Sequence, residues 1–339
     1  MTAPSTSTSD PLEARILDGR YHIEGKLGAG GMGSVYRARS LAGGAPVAIK
    51  LLQSRFGHIY AYRKRFIREA RIASRIVHPN VTRVLDFGQS SQGRAFFVME
   101  YLPGEDLRKR LKREGPMSWA NTRTILRQVL AGLRAAHDTG VLHRDIKPSN
   151  VFLAKGREGK PDQVKLLDFG LAKAVDPNSS LAEGLTLVDE IMGTAQYLAP
   201  ERIVGEPADT RSDLYSVGVM AFRMLSGELP RWGSGPTMRQ LMRRTTEAPP
   251  SLAARVPGLC PDLDALIQRA MARSPQERFC SLQRFEDAMM SIPTTRRRAA
   301  ARRWRAAAPA DVPSPSMAMT RSVGVIPRAH APTLPFAVG

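Results

Sequence analysis

The segment "HRDIKPSN", residues 143–150, follows the apolar run "GVL" and sets Asp145 five residues before Asn150. Transfer of a phosphoryl group to a hydroxyl requires a carboxylate that accepts and orients the proton, and hard oxygen ligands for a metal ion. Asp145 meets the first need and Asn150 one of the second. Further along, "LLDFG" at 166–170 supplies Asp168, a carboxylate of the kind Mg²⁺ prefers. "GTAQYLAPE" at 193–201 then closes a segment that runs from Asp168 to Glu201.

Upstream, "LGAGGMGSVY" at 27–36 is dense in glycine, which allows backbone to approach a phosphate closely. Three readings compete for it. A Walker A loop ends in Gly-Lys-Ser/Thr, and none is present. A dinucleotide fingerprint runs directly into a helix, whereas Val35 and Tyr36 lead into an alternating strand pattern. What remains is a hairpin with the spacing G-x-G-x-x-G-x-V at Gly28, Gly30, Gly33 and Val35, with Gly31 as an extra glycine. "VAIK" places Lys50 at the end of the next strand. In the helical pattern that follows, Glu69 is the one acid among Arg63, Lys64, Arg65, Arg68 and Arg71. It serves either as the partner of Lys50 or as an intrahelical partner for those arginines.

Residues 1–15 are rich in Ser, Thr and Pro and read as disordered. From residue 16 to 102 the runs "YHIEGKL", "SVYRARS", "PVAIKLL", "VTRVLDFGQ" and "RAFFVMEYL" read as strands. They are interrupted by "YAYRKRFIREARIASRIV", where Phe66, Ile67, Ala70, Ala73 and Ile76 recur at helical spacing. From 103 to 291 helices dominate. Ser118 caps a stripe running through Ile125, Leu126, Val129, Leu130 and Leu133, and further helices are expected at "SDLYSVGVMAFRMLSG" and "PDLDALIQRAMAR". "GREGKPDQ" reads as a polar hairpin turn. Residues 292–339 form an Arg/Ala/Pro-rich tail, again read as disordered.

The net charge of +19 admits nucleic acid, an anionic membrane surface or acidic substrates as partners. Arginines scattered over solvated faces are the favoured account. The tail holds eight arginines against one acid after residue 290, with Trp304 among them. Docking of a nucleic acid or other polyanion there is the minority reading, against a solvated extension. Two cysteines, Cys260 and Cys280, argue against a disulfide framework and fit a reducing cytoplasm. No apolar run reaches the length of a membrane span, and the N-terminus has no secretory signal pattern.

In this order and spacing, the motifs between residues 20 and 290 resemble a eukaryotic-like (Hanks-type) bacterial serine/threonine protein kinase. The resemblance implies an α+β, bilobal fold with a small β-rich N-lobe and a larger, mostly helical C-lobe. It also implies ATP and Mg²⁺, with Mn²⁺ as a substitute, and transfer of the γ-phosphate to Ser or Thr of protein substrates. Self-association for autophosphorylation in trans follows from the same likeness.

By that likeness Asp145 and Lys147 act at the reacting hydroxyl and γ-phosphate, Lys50 contacts the α- and β-phosphates, and Glu69 holds Lys50. Asn150 and Asp168 ligate the metal. Gly28, Gly30 and Gly33 cover the phosphates. Leu27, Val35, Ala48, Met99 and Phe152 line the adenine pocket, and backbone groups from Glu100 to Leu102 read the base edge. Thr194 bridges Asp145 and Lys147. Arg144 pairs with a phosphorylated residue of the activation segment, for which Thr186, Ser179 and Ser180 are candidates. Asp213 supports the loop and Arg278 pairs with Glu201. The alternative, a catalytically silent fold used as a scaffold, requires a missing Lys, Asp or metal ligand, and none is missing.

Overall fold

The computed structural model describes residues 16–30, 33–53, 60–90, 93–156, 162–169 and 195–294. The first half is a curled six-stranded sheet, made of β1 (Ile16–Leu17), β2 (Tyr21–Ala29), β3 (Gly33–Ser40), β4 (Pro46–Leu52), β5 (Val84–Gln89) and β6 (Ala95–Glu100). All its pairings are antiparallel, in the order β1-β2-β3-β4-β6-β5. Alternation divides the strands between two faces, interrupted by register shifts in β2 and β5. Ile23, Tyr36, Ala38, Ile49, Leu51, Phe96 and Val98 form a closed apolar cluster on one face. Val35, Ala48, Lys50, Phe97 and Met99 fall on the other, because Val35 pairs with Lys50, Lys50 with Phe97 and Ala48 with Met99. Helix α1 (Tyr60–Ala73) packs on that second face through Phe66 and Ala70 against Leu52, Ala95 and Phe97.

The second half is helical around one large core. A short strand β7 (Gly104–Asp106) leads into α2 (Leu107–Glu114) and α3 (Trp119–Asp138), followed by the hairpin β8 (Val151–Ala154) and β9 (Gln163–Leu166). Helices α4 (Pro200–Ile203), α5 (Thr210–Ser226), α6 (Thr237–Arg244), α7 (Pro261–Ala270) and α8 (Leu282–Ser291) complete it. As the sequence predicts, Ser118 caps α3, its side chain accepting from the N–H of Asn121. Helix α5 is buried on nearly every side from Ser212 to Phe222, the signature of a central core helix. Its start is fixed by a capping box, in which Asp209 and Ser212 satisfy each other's backbone N–H.

The strands β7, β8 and β9 form a second sheet, which links the halves. Val81 bridges Leu166 in parallel, with the Thr82 N–H donating to Leu166 O (3.0 Å) and the Leu166 N–H to Asn80 O (2.8 Å). Helix α3 lies so close beneath that a Cβ at Gly132 would stand 2.9 Å from Asn80 O and 2.9 Å from Leu166 Cδ1. Farther out, Arg278 grips Glu201 with two parallel bonds (2.8 and 2.7 Å), and both residues are buried. Breaking such a pair leaves a bare charge in the core, whereas an intact one is close to neutral for stability.

The two-lobed α+β expectation therefore holds. Helices α2, α4, α6 and α8 and strands β1 and β7 were not anticipated. No helix among the described residues is long and apolar enough to cross a membrane. The expected disordered termini lie outside the described residues, apart from 292–294.

Candidate active site

The 143–150 loop is held from below by one carboxylate. Asp213, in the first turn of α5, accepts from the N–H of His143 (2.8 Å), the N–H of Arg144 (2.7 Å) and the ring Nε2 of His137 on α3 (2.8 Å). Burial raises its carboxyl pKa, but the His137 bond and the other donors outweigh that, so it lies below its ordinary 3.8. The first turn of a helix adds a favourable field for an anion. Gripped in this way, Arg144 adopts φ 62°, a backbone region that a bulky side chain enters only when its surroundings enforce it.

His143 is fully enclosed. Its Nδ1 accepts from the Asp145 N–H (3.4 Å), which leaves Nε2–H to donate to Leu167 O (3.0 Å). The ring also stacks on Phe169 at 4.7 Å between centroids. Burial holds its pKa below 6.5 despite Asp213 and Asp145 nearby, so the ring is neutral. This imidazole joins the loop of Asp145 to the segment of Asp168, and the Leu167 N–H repeats the link by donating to Asn150 O (2.9 Å).

Above the loop, Asp145 Oδ2 stands 3.0 Å from Lys147 Nζ and accepts from Asn150 Nδ2 at 3.1 Å. Asn150 Nδ2 also donates to Asp145 O (2.8 Å), so its amide nitrogen is fully engaged, while Oδ1 accepts only a long bond from Ser149 Oγ (3.5 Å) and keeps a lone pair for a ligand. Asp168, exposed and at φ 47°, faces Lys50 Nζ at 2.6 Å. Asp145, Lys147, Asn150, Lys50 and Asp168 thus converge in two bonded groups tied together by backbone.

Oxygen from Asn150 and Asp168 suits a hard divalent cation. No group of three or more His, Cys, Asp or Glu that could hold a metal occurs among the described residues.

The expected adenine-pocket residues occupy neighbouring rows of the sheet. Gly28 pairs with Val35, Val35 with Lys50, and Ala48 with Met99. Leu27 is 46% exposed near the end of β2. Phe152 pairs with Asp106 on β8, half-buried. Leu102 follows β6. The Glu100 N–H donates to Arg83 O (3.0 Å), and its carboxylate accepts from Lys165 Nζ (2.7 Å) and the Arg83 N–H (2.9 Å). That N–H is therefore committed, and base-edge contacts fall to the remaining backbone groups of 100–102. Gly30 and Gly33 bond to each other across the hairpin (2.8 and 3.3 Å). Glu69 lies on α1, but its side chain is outside the described residues, as are Gly31, Thr194, Thr186, Ser179 and Ser180.

Several contributors escaped the sequence reading. Asn80 Nδ2 donates to Val164 O (2.9 Å) and Gln128 Oε1 (3.0 Å), and Gln128 Oε1 accepts from the Val164 N–H (2.9 Å). Together they staple the strand that delivers Asp168. His137 and Lys165 belong to the same scaffold. Arg202, next to Glu201, is half-buried, and its pKa is lowered by burial first and by Arg144 second. The Arg144 Nε is buried with no hydrogen-bond partner, and neither guanidinium makes an ion pair with a described residue.

A family model described as "Protein kinase domain" matches residues 21–290. The chain is 38% identical over 295 residues to serine/threonine-protein kinase pkn3 of Myxococcus xanthus, covering 86% of this chain and 53% of that protein. It is 40% identical over 271 residues to pkn2 of the same organism, covering 78% and 32%. With PknL of Mycobacterium tuberculosis identity is 38% over 272 residues, covering 80% and 65%. The chain thus spans about a third to two thirds of the length of these curated relatives. Among solved structures, the PknI kinase domain of M. tuberculosis superposes with a TM-score of 0.62 at 28% identity, covering 82% of this chain and 98% of that one.

The buried ionisable groups set the pH response. Glu201 is pushed up by burial but pulled below 4.5 by Arg278, and Asp213 lies below 3.8. Depressed carboxylates contribute stability that is complete above their unfolded values and lost as pH falls through their folded ones. His143 acts from higher pH, because below 6.5 the unfolded chain takes a proton that the buried ring refuses. The thermal midpoint should therefore begin to fall near pH 6.5 and fall faster below pH 4.5. His78, also lowered by burial and by Arg134, adds to the upper step, so His143→Phe should shrink that step, whereas an identical profile in that variant excludes His143 as a source.

Proposed function

The chain belongs to the protein kinase family, and from that premise we propose that it transfers the γ-phosphoryl group of ATP to Ser or Thr hydroxyls of proteins, its own activation segment included. The observation that carries this reading is the clamp on Asp145 Oδ2 by Lys147 and Asn150, set against the Lys50–Asp168 pair. A substrate hydroxyl at Asp145 gives its proton to that carboxylate as its oxygen bonds to the γ-phosphorus. The bond from that phosphorus to the β–γ bridging oxygen breaks, and ADP leaves. Lys147, adjacent to Asp145, compensates charge at the transferring group. Lys50 orients the α- and β-phosphates, and Glu69 on α1 positions Lys50. Asn150 Oδ1 and the Asp168 carboxylate would hold Mg²⁺, with Mn²⁺ as a substitute, and the ion would neutralise the phosphate oxygens.

Activation is read from Arg144 and Arg202. Two desolvated guanidiniums near each other, without an ion-paired carboxylate, form a site for a dianion. A phosphate on Thr186, or on Ser179 or Ser180, supplies one, and transfer between two copies of the chain would place it there. A silent scaffold finds no support in the site, since every group needed for transfer is present. Affinity of the tail for nucleic acid or another polyanion remains the minority reading.

Purified protein incubated with Mg²⁺ and γ-labelled ATP should label itself and an added Ser/Thr peptide. Asp145→Asn should lower that rate by about 10²–10⁴-fold while nucleotide affinity stays nearly constant. Retained transfer removes Asp145 from its role. In the same assay, preincubation with ATP should raise the wild-type rate toward the peptide. Arg202→Gln should keep the starting rate and lose the gain, and an undiminished gain sinks the anion-pocket reading.

A further inference from the structure

Helix α1 has two opposed faces. Phe66, Ala70 and Ala73 lie on the side toward β5 and β6. At about 100° per residue, Lys64, Arg68, Arg71 and Arg75 lie within about 60° of one another and roughly opposite that seam. All four are exposed, Arg75 in the turn that continues the helix through the Arg75 N–H to Ile72 O bond (3.1 Å). They form a straight cationic stripe about 16 Å long.

Arg68, Arg71 and Arg75 make no ion pair with any described residue. The carboxylates of the strands beneath are engaged elsewhere, Asp86 with Arg20 (2.6 Å) and Tyr21 (2.8 Å), Glu100 with Lys165 (2.7 Å). Like charges at i,i+3 and i,i+4 destabilise a helix. Arg71 lies 5.9 Å from the centre of the Phe87 ring on β5, but no described carboxylate offsets the charge of Arg68, Arg71 or Arg75, so the sequence maintains a costly row of cations. We infer that the outer face of α1 is a docking surface for an acidic protein segment, whose carboxylates pair with Arg68, Arg71 and Arg75.

Charge complementarity selects that occupant. A second copy would present the same cations, and the tail after residue 290 carries eight arginines against one acid, so both are repelled. The stripe is one helix wide, which matches a single acidic strand or helix. Val77, two residues past Arg75, is 84% exposed and offers an apolar anchor at the stripe's end. A protein segment can use such an anchor and a nucleic-acid backbone cannot. Because α1 also carries Glu69, a segment clamped across its outer face bears on the position of that side chain. This consequence rests on the kinase reading, whereas the docking surface itself does not.

The test is direct binding to the full chain, independent of phosphoryl transfer. The probe is a fluorescent synthetic peptide of about 11 residues, rich in Glu with interspersed Leu, which as a helix matches the stripe's length. Its Gln-substituted twin, a single-stranded DNA of similar length and phosphatidylserine vesicles serve as comparisons. Arg68→Glu/Arg71→Glu/Arg75→Glu should weaken the acidic peptide at least about tenfold, with salt weakening the wild-type complex. The charge-matched control Arg231→Glu/Arg239→Glu/Arg284→Glu, on exposed arginines of the helical lobe, should change it less than about twofold. If the Glu variant does not fold, the triple Gln variant carries the test, since it relieves repulsion in α1. Equal weakening by the control, no binding of the acidic peptide, or stripe-dependent binding of DNA or vesicles in its place would overturn the proposal.

Discussion

The buried Asp213 carboxylate is the constraint on which the rest of the site depends. It stands 1% exposed in the core and accepts from two consecutive backbone N–H groups, His143 and Arg144, and from the His137 ring. An ion in that position is tolerable only because every bond is made. The capping box that starts α5 fixes where the carboxylate sits, and the burial of α5 fixes the helix. From there the loop carries Asp145 into the cleft. The strain at Arg144 is held by the same bonds.

A second tier ties the N-lobe to this anchor. His143 reaches Leu167 and Phe169, Asn150 reaches Leu167, and Asn80 with Gln128 staples β9. The strand that ends in Asp168 is thereby positioned from both halves of the molecule. Lys50, from the opposite sheet, meets Asp168 across the cleft. Rigid elements therefore aim Asp145, Asn150, Asp168 and Lys50, which is what pre-organised electrostatic catalysis requires.

Legibility in the sequence followed the physics of each element. Strands that read as short apolar runs bounded by Gly and Pro, such as β4 at Pro46–Leu52, were bounded to the residue. Helix α2 was invisible because only Leu107 and Leu111 of "LRKRLKRE" are buried, too few to establish a period. In α6 the pattern misleads, since Leu241 is buried while Met238 and Met242 are exposed. Asp145, Asn150 and Asp168 stand out in the sequence because the motifs that hold them follow a fixed order, and the structure brings the three to one cleft. His137 was not, because a histidine near the end of a long helix carries no local signal of the carboxylate it meets 76 residues later. Arg202 was hidden for a similar reason, since its burial beside Arg144 is a tertiary fact.

The most direct measurement of the anchoring claim is the rate of phosphoryl transfer by Asp213→Asn at saturating ATP. An amide there must turn one N–H donor toward another, so the loop loses a bond while the side-chain volume is kept. The account predicts a fall of about a hundredfold in kcat, the cost of a misplaced catalytic group, with KM for ATP nearly unchanged. A folded variant with wild-type kcat would contradict it.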